Sequence, residues 1–162
     1  MNFRDLYAHM QWADAEMWRA VGDVRDEKLL AVLQHAHGVQ HAFLLMWRGR
    51  EIDSKALFTQ REARALQSFA REFYAAIDEE LPRLEERLGD TVHMPWLPHF
   101  EQQLGRKLNA PTVEDTLYQL PAHSAYHRGQ ANLRLREAGA EPPLVDFIAW
   151  VWFARPAPQW PV

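Results

Sequence analysis

Apolar residues recur at helical spacing along the first third of the chain. The pattern over residues 3–21 predicts a first helix, which ends where Gly22 interrupts it. The clearest amphipathic segment begins at Asp26, a residue type suited to capping a helix N-terminus, and runs to Trp47 before Gly49 stops it. These signals predict two helices joined by a short turn.

Longer connections separate the helical patterns in the rest of the chain. A charged linker over residues 51–60 precedes a third apolar stripe over residues 66–88, which Gly89 closes. A fourth helix begins at Thr112, where Asp115 three residues on resembles a capping box, and continues to Glu137. Residues 90–111 are rich in Pro and Gly and show no sustained period, so we expect a long connection with a short hairpin there.

The predicted elements define a fold class. Paired prolines introduce a short and very apolar segment over residues 144–153, which predicts a short C-terminal helix. Four long helical patterns without alternating strand runs indicate an all-α fold, an antiparallel four-helix bundle with this short helix added. At 162 residues and 48% apolar composition, the chain is expected to form one domain over residues 1–162.

Composition narrows the classes of function. The 18 Lys and Arg against 22 Asp and Glu give a net charge of −4 without a basic block, which argues against a nucleic-acid partner. The N-terminus lacks the apolar stretch of a signal peptide, and no apolar run is long enough for a membrane span, so a cytoplasmic location is expected. Without cysteines, a transition-metal site has to be built from His, Asp and Glu.

Histidines provide the candidate metal chemistry. His123 and His127 are four residues apart on the fourth predicted helix, so both imidazoles project from one face and can share an ion. His37 and His41 have the same spacing on the second helix. The chain contains neither HExxH nor ExxH, which removes the usual zinc-protease and carboxylate di-iron arrangements and leaves a mononuclear site.

A third ligand decides whether such a site has open coordination positions for chemistry. The second helix offers His35, His37 and His41, and the first two lie on opposite borders of its apolar stripe. Periodicity alone does not choose among them.

Several segments resemble one family. The stretch LQHAHGVQHAFLLMWRG over residues 33–49 resembles the second-helix motif of the DinB-like (damage-inducible, YfiT-like) four-helix-bundle proteins. HSAYHRGQ followed by LRLREAGAEPPLVDFIAW resembles their fourth-helix signature, and YAHMQWADAEMW is similar to their Trp-Ala-Asn/Asp opening. These segments occur in the family's order and cover nearly the whole chain.

The resemblance implies a metal triad of His35, His123 and His127, and it makes His37 and His41 bystanders. It also implies a divalent ion, nickel or zinc in many family members, and a homodimer. Related branches include thiol-dependent S-transferases and a maleylpyruvate isomerase, so a low-molecular-weight thiol is a candidate co-reactant.

Residues around the triad have two interpretations each. Arg128 is a candidate for binding an anionic cofactor or substrate group, or for pairing with an acid, and Gln130 is a candidate for ordering a ligand from the outer shell. Gly129 can allow close helix packing. Asp146 can support a ligand or cap the last helix, and Pro121 can re-aim His123 or open the pocket.

These observations favour a metal-dependent enzyme that transfers or hydrolyses a group on a small molecule. The first alternative is a non-catalytic protein in which the ion only joins the second and fourth predicted helices. The second is a stress-response or ligand-binding module. No general base can be named from the sequence.

Overall fold

A computed structural model describes residues 2–162, and in this part of the chain the prediction of an all-α helical bundle is confirmed. Met1, included in the predicted domain, lies outside the described residues. The seven helices of the described chain are α1 Phe3–Val21, α2 Glu27–Trp47, α3 Ser54–Phe58, α4 Ala63–Glu85, α5 Leu97–Leu104, α6 Val113–Glu137 and α7 Phe147–Trp152. Of these, α1, α2, α4 and α6 are the long helices, and α7 is the predicted C-terminal helix.

The starts of α2 and α6 and the end of α2 follow the predicted signals, whereas α4 ends at Glu85, before the predicted stop at Gly89. The Asp26 side chain accepts a hydrogen bond from the Leu29 amide at 2.7 Å, and Thr112 and Asp115 form a reciprocal capping box. Gly49 adopts a left-handed φ of 62° directly after α2, a conformation that glycine reaches without a Cβ penalty. Local capping chemistry therefore fixes where these helices begin and end.

Both long connections contain a helix that the apolar pattern did not predict. α3, within the charged linker, has only five residues, too few for an apolar period to register. α5, within residues 90–111, has only eight residues, so its three apolar positions Leu97, Phe100 and Leu104 are too few for a sustained period, and none of its side chains is buried. The expected hairpin there is wrong, because the described pairing is limited to one bridge between Thr91 and Thr112 at the ends of the connection.

Contacts between the long helices give their directions. From α2 to α4, His41 contacts Phe69 and Arg48 contacts Glu80, so the two helices run the same way. From α2 to α6, Trp47 contacts Thr116 and Gln40 contacts Ser124, so these helices run in opposite directions. Tyr7 and Asp14 of α1 contact Leu117 and Arg128 of α6, so these two helices run the same way. In chain order the four long helices therefore run up, down, down and up, and the connection from α2 to α4 must return along the bundle.

One carboxylate in the bundle interior is hydrogen-bonded to all three other long helices. Asp14 of α1 accepts from Arg128 of α6 at 2.9 Å, from Gln40 of α2 at 2.9 Å and from the Tyr74 hydroxyl of α4. Burial alone would raise the pKa of Asp14, but the Arg128 charge, His37 and these hydrogen bonds together hold it below its usual value. We call these residues, with His37 and Ser124, the Asp14 network.

The Asp14 network separates two apolar clusters. One cluster lies toward the end where α2 and α4 finish and α6 starts, and the other lies toward the opposite end. Their long-helix members include Tyr7, Phe43, Trp47, Ile77 and Leu117 in the first, and Met17, Leu29, Leu33, Leu66 and Leu135 in the second. Burial of these side chains drives the helices together, and the polar layer between them fixes how they align.

Pro121 does not interrupt α6, which is continuous from Val113 to Glu137. Proline has no amide hydrogen, so the Leu117 carbonyl one turn earlier loses its helical donor. The Tyr7 hydroxyl of α1 donates to that carbonyl at 3.2 Å. A partner from a neighbouring helix thus compensates for the proline.

Among the helices of residues 2–162, none combines the length and the apolar character needed to cross a membrane.

Replacing Asp14 by Ala is expected to lower the free energy of unfolding by about 3–5 kcal/mol, because the buried Arg128 guanidinium loses its counter-charge. Urea denaturation followed by circular dichroism measures the change. Asp23→Ala, at an exposed position, is the matched control and should stay within about 0.5 kcal/mol of the parent protein. Equal losses in the two variants would contradict the role given to Asp14.

His41 gives a prediction for pH. Its ring stacks on Phe69 at 3.7 Å between centroids, and burial lowers its pKa from 6.5 to about 4, with His37 and Arg61 acting in the same direction. Between pH 6.5 and pH 4 the unfolded chain binds a proton at His41 more strongly than the folded protein does. The stabilisation from neutral His41 is therefore complete above pH 6.5 and is lost as the pH falls toward 4.

The parent protein should lose unfolding free energy when the pH falls from 7.5 to 5.0. We expect this loss to be smaller by about 1–2 kcal/mol in His41→Phe. The measurement is urea denaturation at both pH values in the presence of a chelator. His99→Phe, at an exposed histidine, should keep the parent's pH dependence. An unchanged pH dependence in His41→Phe would show that this ring is not held neutral by the fold.

Candidate metal centre

His35 of α2 and His123 and His127 of α6 meet at one point between the two helices. Each offers a ring nitrogen, and these three atoms all lie within 4.8 Å of one another. The one-turn spacing on α6 puts His123 and His127 on the same face, and the neighbouring α2 brings His35 opposite them. The cluster could hold a metal ion, and it contains the three residues that the resemblance implied.

The spacing of the two α6 nitrogens suits one ion. The Nε2 atoms of His123 and His127 are 3.1 Å apart. Two nitrogens bound to one divalent ion at about 2.0–2.1 Å, at angles between octahedral and tetrahedral, lie about 2.9–3.4 Å from each other.

Gln130 fixes the ring of His127. Its Oε1 atom lies 2.7 Å from Nδ1 of His127, so the Nδ1–H donates to the amide oxygen and the Nε2 lone pair faces the cluster. Gln130 is exposed and one turn beyond His127, which leaves it free for this contact. It lies where an outer-shell partner was expected.

The cluster leaves ring nitrogens available to a cation. Nε2 of His123 contacts only Nε2 of His127, and its buried Nδ1 has no hydrogen-bond partner in the described part of the chain, so no other protein group occupies this ring. Burial lowers the pKa of His123 to about 4, and the charges of His127 and His35 act in the same direction. Partial desolvation of the His35 ring, together with the charge of His127, also lowers the pKa of His35. Neutral imidazoles with free lone pairs are the donors that divalent nickel and zinc accept, so an ion fits this set.

His35 is positioned by packing against α3. The Phe58 ring stacks on His35 with centroids 5.9 Å apart. A Cβ on Gly38 would come within 2.6 Å of that ring, so Phe58 can reach His35 only because residue 38 is glycine. The buried Gln34 side chain donates to the Leu57 carbonyl at 2.7 Å and holds the end of α3 on α2. Sequence reasoning missed this support, although the glycine inside an amphipathic helix was a signal of close approach.

The other two histidines of α2 lie outside the cluster. His37 is buried in the Asp14 network, where its Nδ1–H donates to Gln40 and its Nε2 accepts from the Trp18 indole. His41 faces α4, and its Nε2–H donates to the Phe69 carbonyl at 2.7 Å. Hydrogen bonds to protein groups therefore occupy both rings.

Arg128 does not fit the cofactor-binding role expected for it. Its side chain is buried, and its guanidinium pairs with Asp14 at 2.9 Å, which is the alternative the sequence left open. Close packing at Gly129 is not observed, because no atom lies within 4 Å of where its Cβ would be. Asp146 is the N-cap residue of α7, as expected for a cap, although its exposed side chain makes no capping hydrogen bond.

A cavity of about 740 Å³ adjoins the cluster, and His35 and His123 form part of its wall. Its remaining walls come from α2, from the start of α6 and from both long connections, including Phe58 of α3 and Trp96 just before α5. His35 and His123 therefore border a partly open cavity of the size that small-molecule sites have.

Comparison with known proteins supports the family inferred from the motifs. Searches of curated proteins and of solved structures found no significant match. The model of the DinB family matches residues 1–160, nearly the full length. The chain therefore belongs to the DinB family.

Proposed function

We propose that the protein is a metal-dependent enzyme in which His35, His123 and His127 bind one divalent ion, nickel or zinc, and which transfers or hydrolyses a group on a small molecule. The observation that carries this proposal is the meeting of three histidine ring nitrogens beside a cavity whose wall includes His35 and His123. Three protein ligands leave further coordination positions for substrate.

A divalent ion at this site supplies Lewis acidity, which polarises a substrate group or lowers the pKa of a water or thiol. The chain contributes the orientation. Gln130 holds the His127 ring through Nδ1, and Phe58 holds the His35 ring by stacking. The apolar residues around the cavity offer a surface for the body of a substrate beside the ion.

Thiol transfer is the reaction that we favour, with a low-molecular-weight thiol as co-reactant, because the chain belongs to the DinB family, whose related branches include thiol-dependent S-transferases. The exposure of His35 and the position of His123 on the cavity wall support catalysis over a purely structural ion. A structural ion is expected to be sealed by four protein ligands.

The proposal extends to the setting of the reaction. In this proposal the protein acts on a small molecule, forms a homodimer and is located in the cytoplasm. It has neither a nucleic acid nor a membrane as a partner. The net charge of −4 supports the exclusion of nucleic acid, since phosphate contacts need a basic face.

We expect the purified, tag-free protein to contain one divalent ion per chain and to accelerate the reaction of glutathione or cysteine with 1-chloro-2,4-dinitrobenzene, in which the thiolate sulfur replaces chloride. His123→Ala and His127→Ala should each lose both the stoichiometric ion and the rate enhancement, because two histidines bind the ion too weakly. Mass spectrometry of the metal and absorbance of the product measure the two effects.

His99→Ala, at an exposed histidine on α5, is the matched control and should keep both metal and activity. Full metal content in both ligand variants would falsify the metal assignment. Metal without activity toward either thiol, together with a large fall in melting temperature on chelation, would instead identify a structural ion.

Gln130→Ala is expected to weaken metal binding by about 10–100-fold, because His127 loses the partner that fixes its tautomer and ring orientation. Competition with a chromophoric chelator gives the affinity. Gln130→Glu keeps an oxygen acceptor and should restore most of the binding, while Gln102→Ala on exposed α5 should change nothing. If Gln130→Ala binds the ion like the parent, the contact does not support the ligand.

A further inference from the structure

The cavity beside the histidine cluster has an aromatic interior. Four aromatic side chains contribute to its lining, Phe43 from α2, Phe58 from α3, Trp96 at the N-cap of α5 and Phe100 from α5. Phe58 and Phe100 are 39% and 44% exposed, respectively, which is high for rings of this size. An apolar ligand in the cavity would remove part of this surface from water, and that removal is favourable.

The charges around the cavity restrict what can enter. Its lining residues include neither Lys nor Arg. The one carboxylate in the lining, Asp115, accepts hydrogen bonds from the Thr112 amide and hydroxyl at 2.8 Å and belongs to the capping box of α6. An anionic group held within the cavity, away from the histidines, would lose its hydration without gaining a counter-charge.

The uncharged polar lining is sparse and partly occupied. The Thr116 hydroxyl accepts from the Trp47 indole and donates to the Val113 carbonyl. Ser54, Asn109 and Gln119 remain as polar groups along the wall. A few polar groups in an apolar cavity orient a ligand, whereas its body is held by apolar contact.

We propose that this cavity binds an uncharged, largely apolar molecule that carries an aromatic or branched aliphatic body, with its reacting polar group directed to His35 and His123. This inference rests on the proposed function, because the histidines must hold an ion for the bound molecule to react. It adds the substrate class, which the three histidines alone do not define.

Two naphthalene probes of similar size test the chemistry of the cavity. N-phenyl-1-naphthylamine is neutral, and 8-anilino-1-naphthalenesulfonate is anionic. Fluorescence titration of the protein should show one site per chain for the neutral probe and an affinity at least about tenfold weaker for the anionic one. Equal affinities, or tighter binding of the anionic probe, would overturn the proposal.

Variants on α5 test the location. Phe100→Ala should weaken the neutral probe by about tenfold, because one ring of the cavity wall is lost. Leu104→Ala on the same helix is the matched control, since Leu104 is 55% exposed and does not line the cavity, and it should leave the affinity unchanged. Equal effects of the two variants would show that the probe binds elsewhere.

Variants on α5 and α6 test the charge argument. Gln119→Lys puts a cation in the cavity wall and should raise the affinity for the anionic probe by about tenfold, whereas Gln103→Lys outside the wall should not. No gain from Gln119→Lys would contradict the exclusion of anions by missing counter-charge. All titrations are made with zinc-loaded and with chelated protein. Probe binding in both forms supports the cavity independently of the metal, so absence of metal binding would overturn the proposed function alone.

Discussion

The carboxylate of Asp14 accepts hydrogen bonds from α2, α4 and α6, and the site depends on this shared contact. Each partner must approach at one height and with one rotation about its helix axis. On α6 the two members of the Asp14 network are Ser124 and Arg128, both buried and each directly after a histidine of the cluster. Successive residues turn by about 100°, so the contact that turns Arg128 inward also turns His127 toward α2. The burial of Ser124 and Arg128 in the bundle interior thus orients the face of α6 that carries His123 and His127.

The helix order explains why the cavity exists. Because α2 and α4 run in the same direction, the chain must travel back along the bundle between them, and α3 forms on that return path. Gly38 gives the Phe58 ring a close approach to α2, which brings it onto His35. The second connection, which leads from α4 to α6, adds Trp96 and Phe100 to the cavity wall. The directions of the helices, rather than the amino-acid composition of the connections, therefore place walls around the cavity beside the histidine cluster.

Local sequence signals predicted much of the fold, but they predicted the histidine cluster only in part. Capping chemistry at Asp26 and at Thr112 predicted helix starts correctly, and the spacing of His123 and His127 predicted their common face. Periodicity could not separate His35 from His37, because both border the apolar stripe and only tertiary contacts show which one the Asp14 network takes. The sequence also could not show that the Arg128 side chain points inward, because its ion-pair partner, Asp14, lies 114 residues away in the chain.

The same contacts bear on whether an ion here is structural. Independent contacts already join α2 to α6, through Trp47 to Thr116 at one end and Gln40 to Ser124 in the middle. The network at Asp14 and the apolar clusters on either side of it fix their register without a metal. An ion bound by His35 would therefore add little to the alignment of α2 with α6. It would also lie at the exposed edge of that interface, where a link between the helices restricts their motion least. Contacts elsewhere therefore already align α2 with α6, and the three histidines are brought together without an ion that has to hold the helices in register.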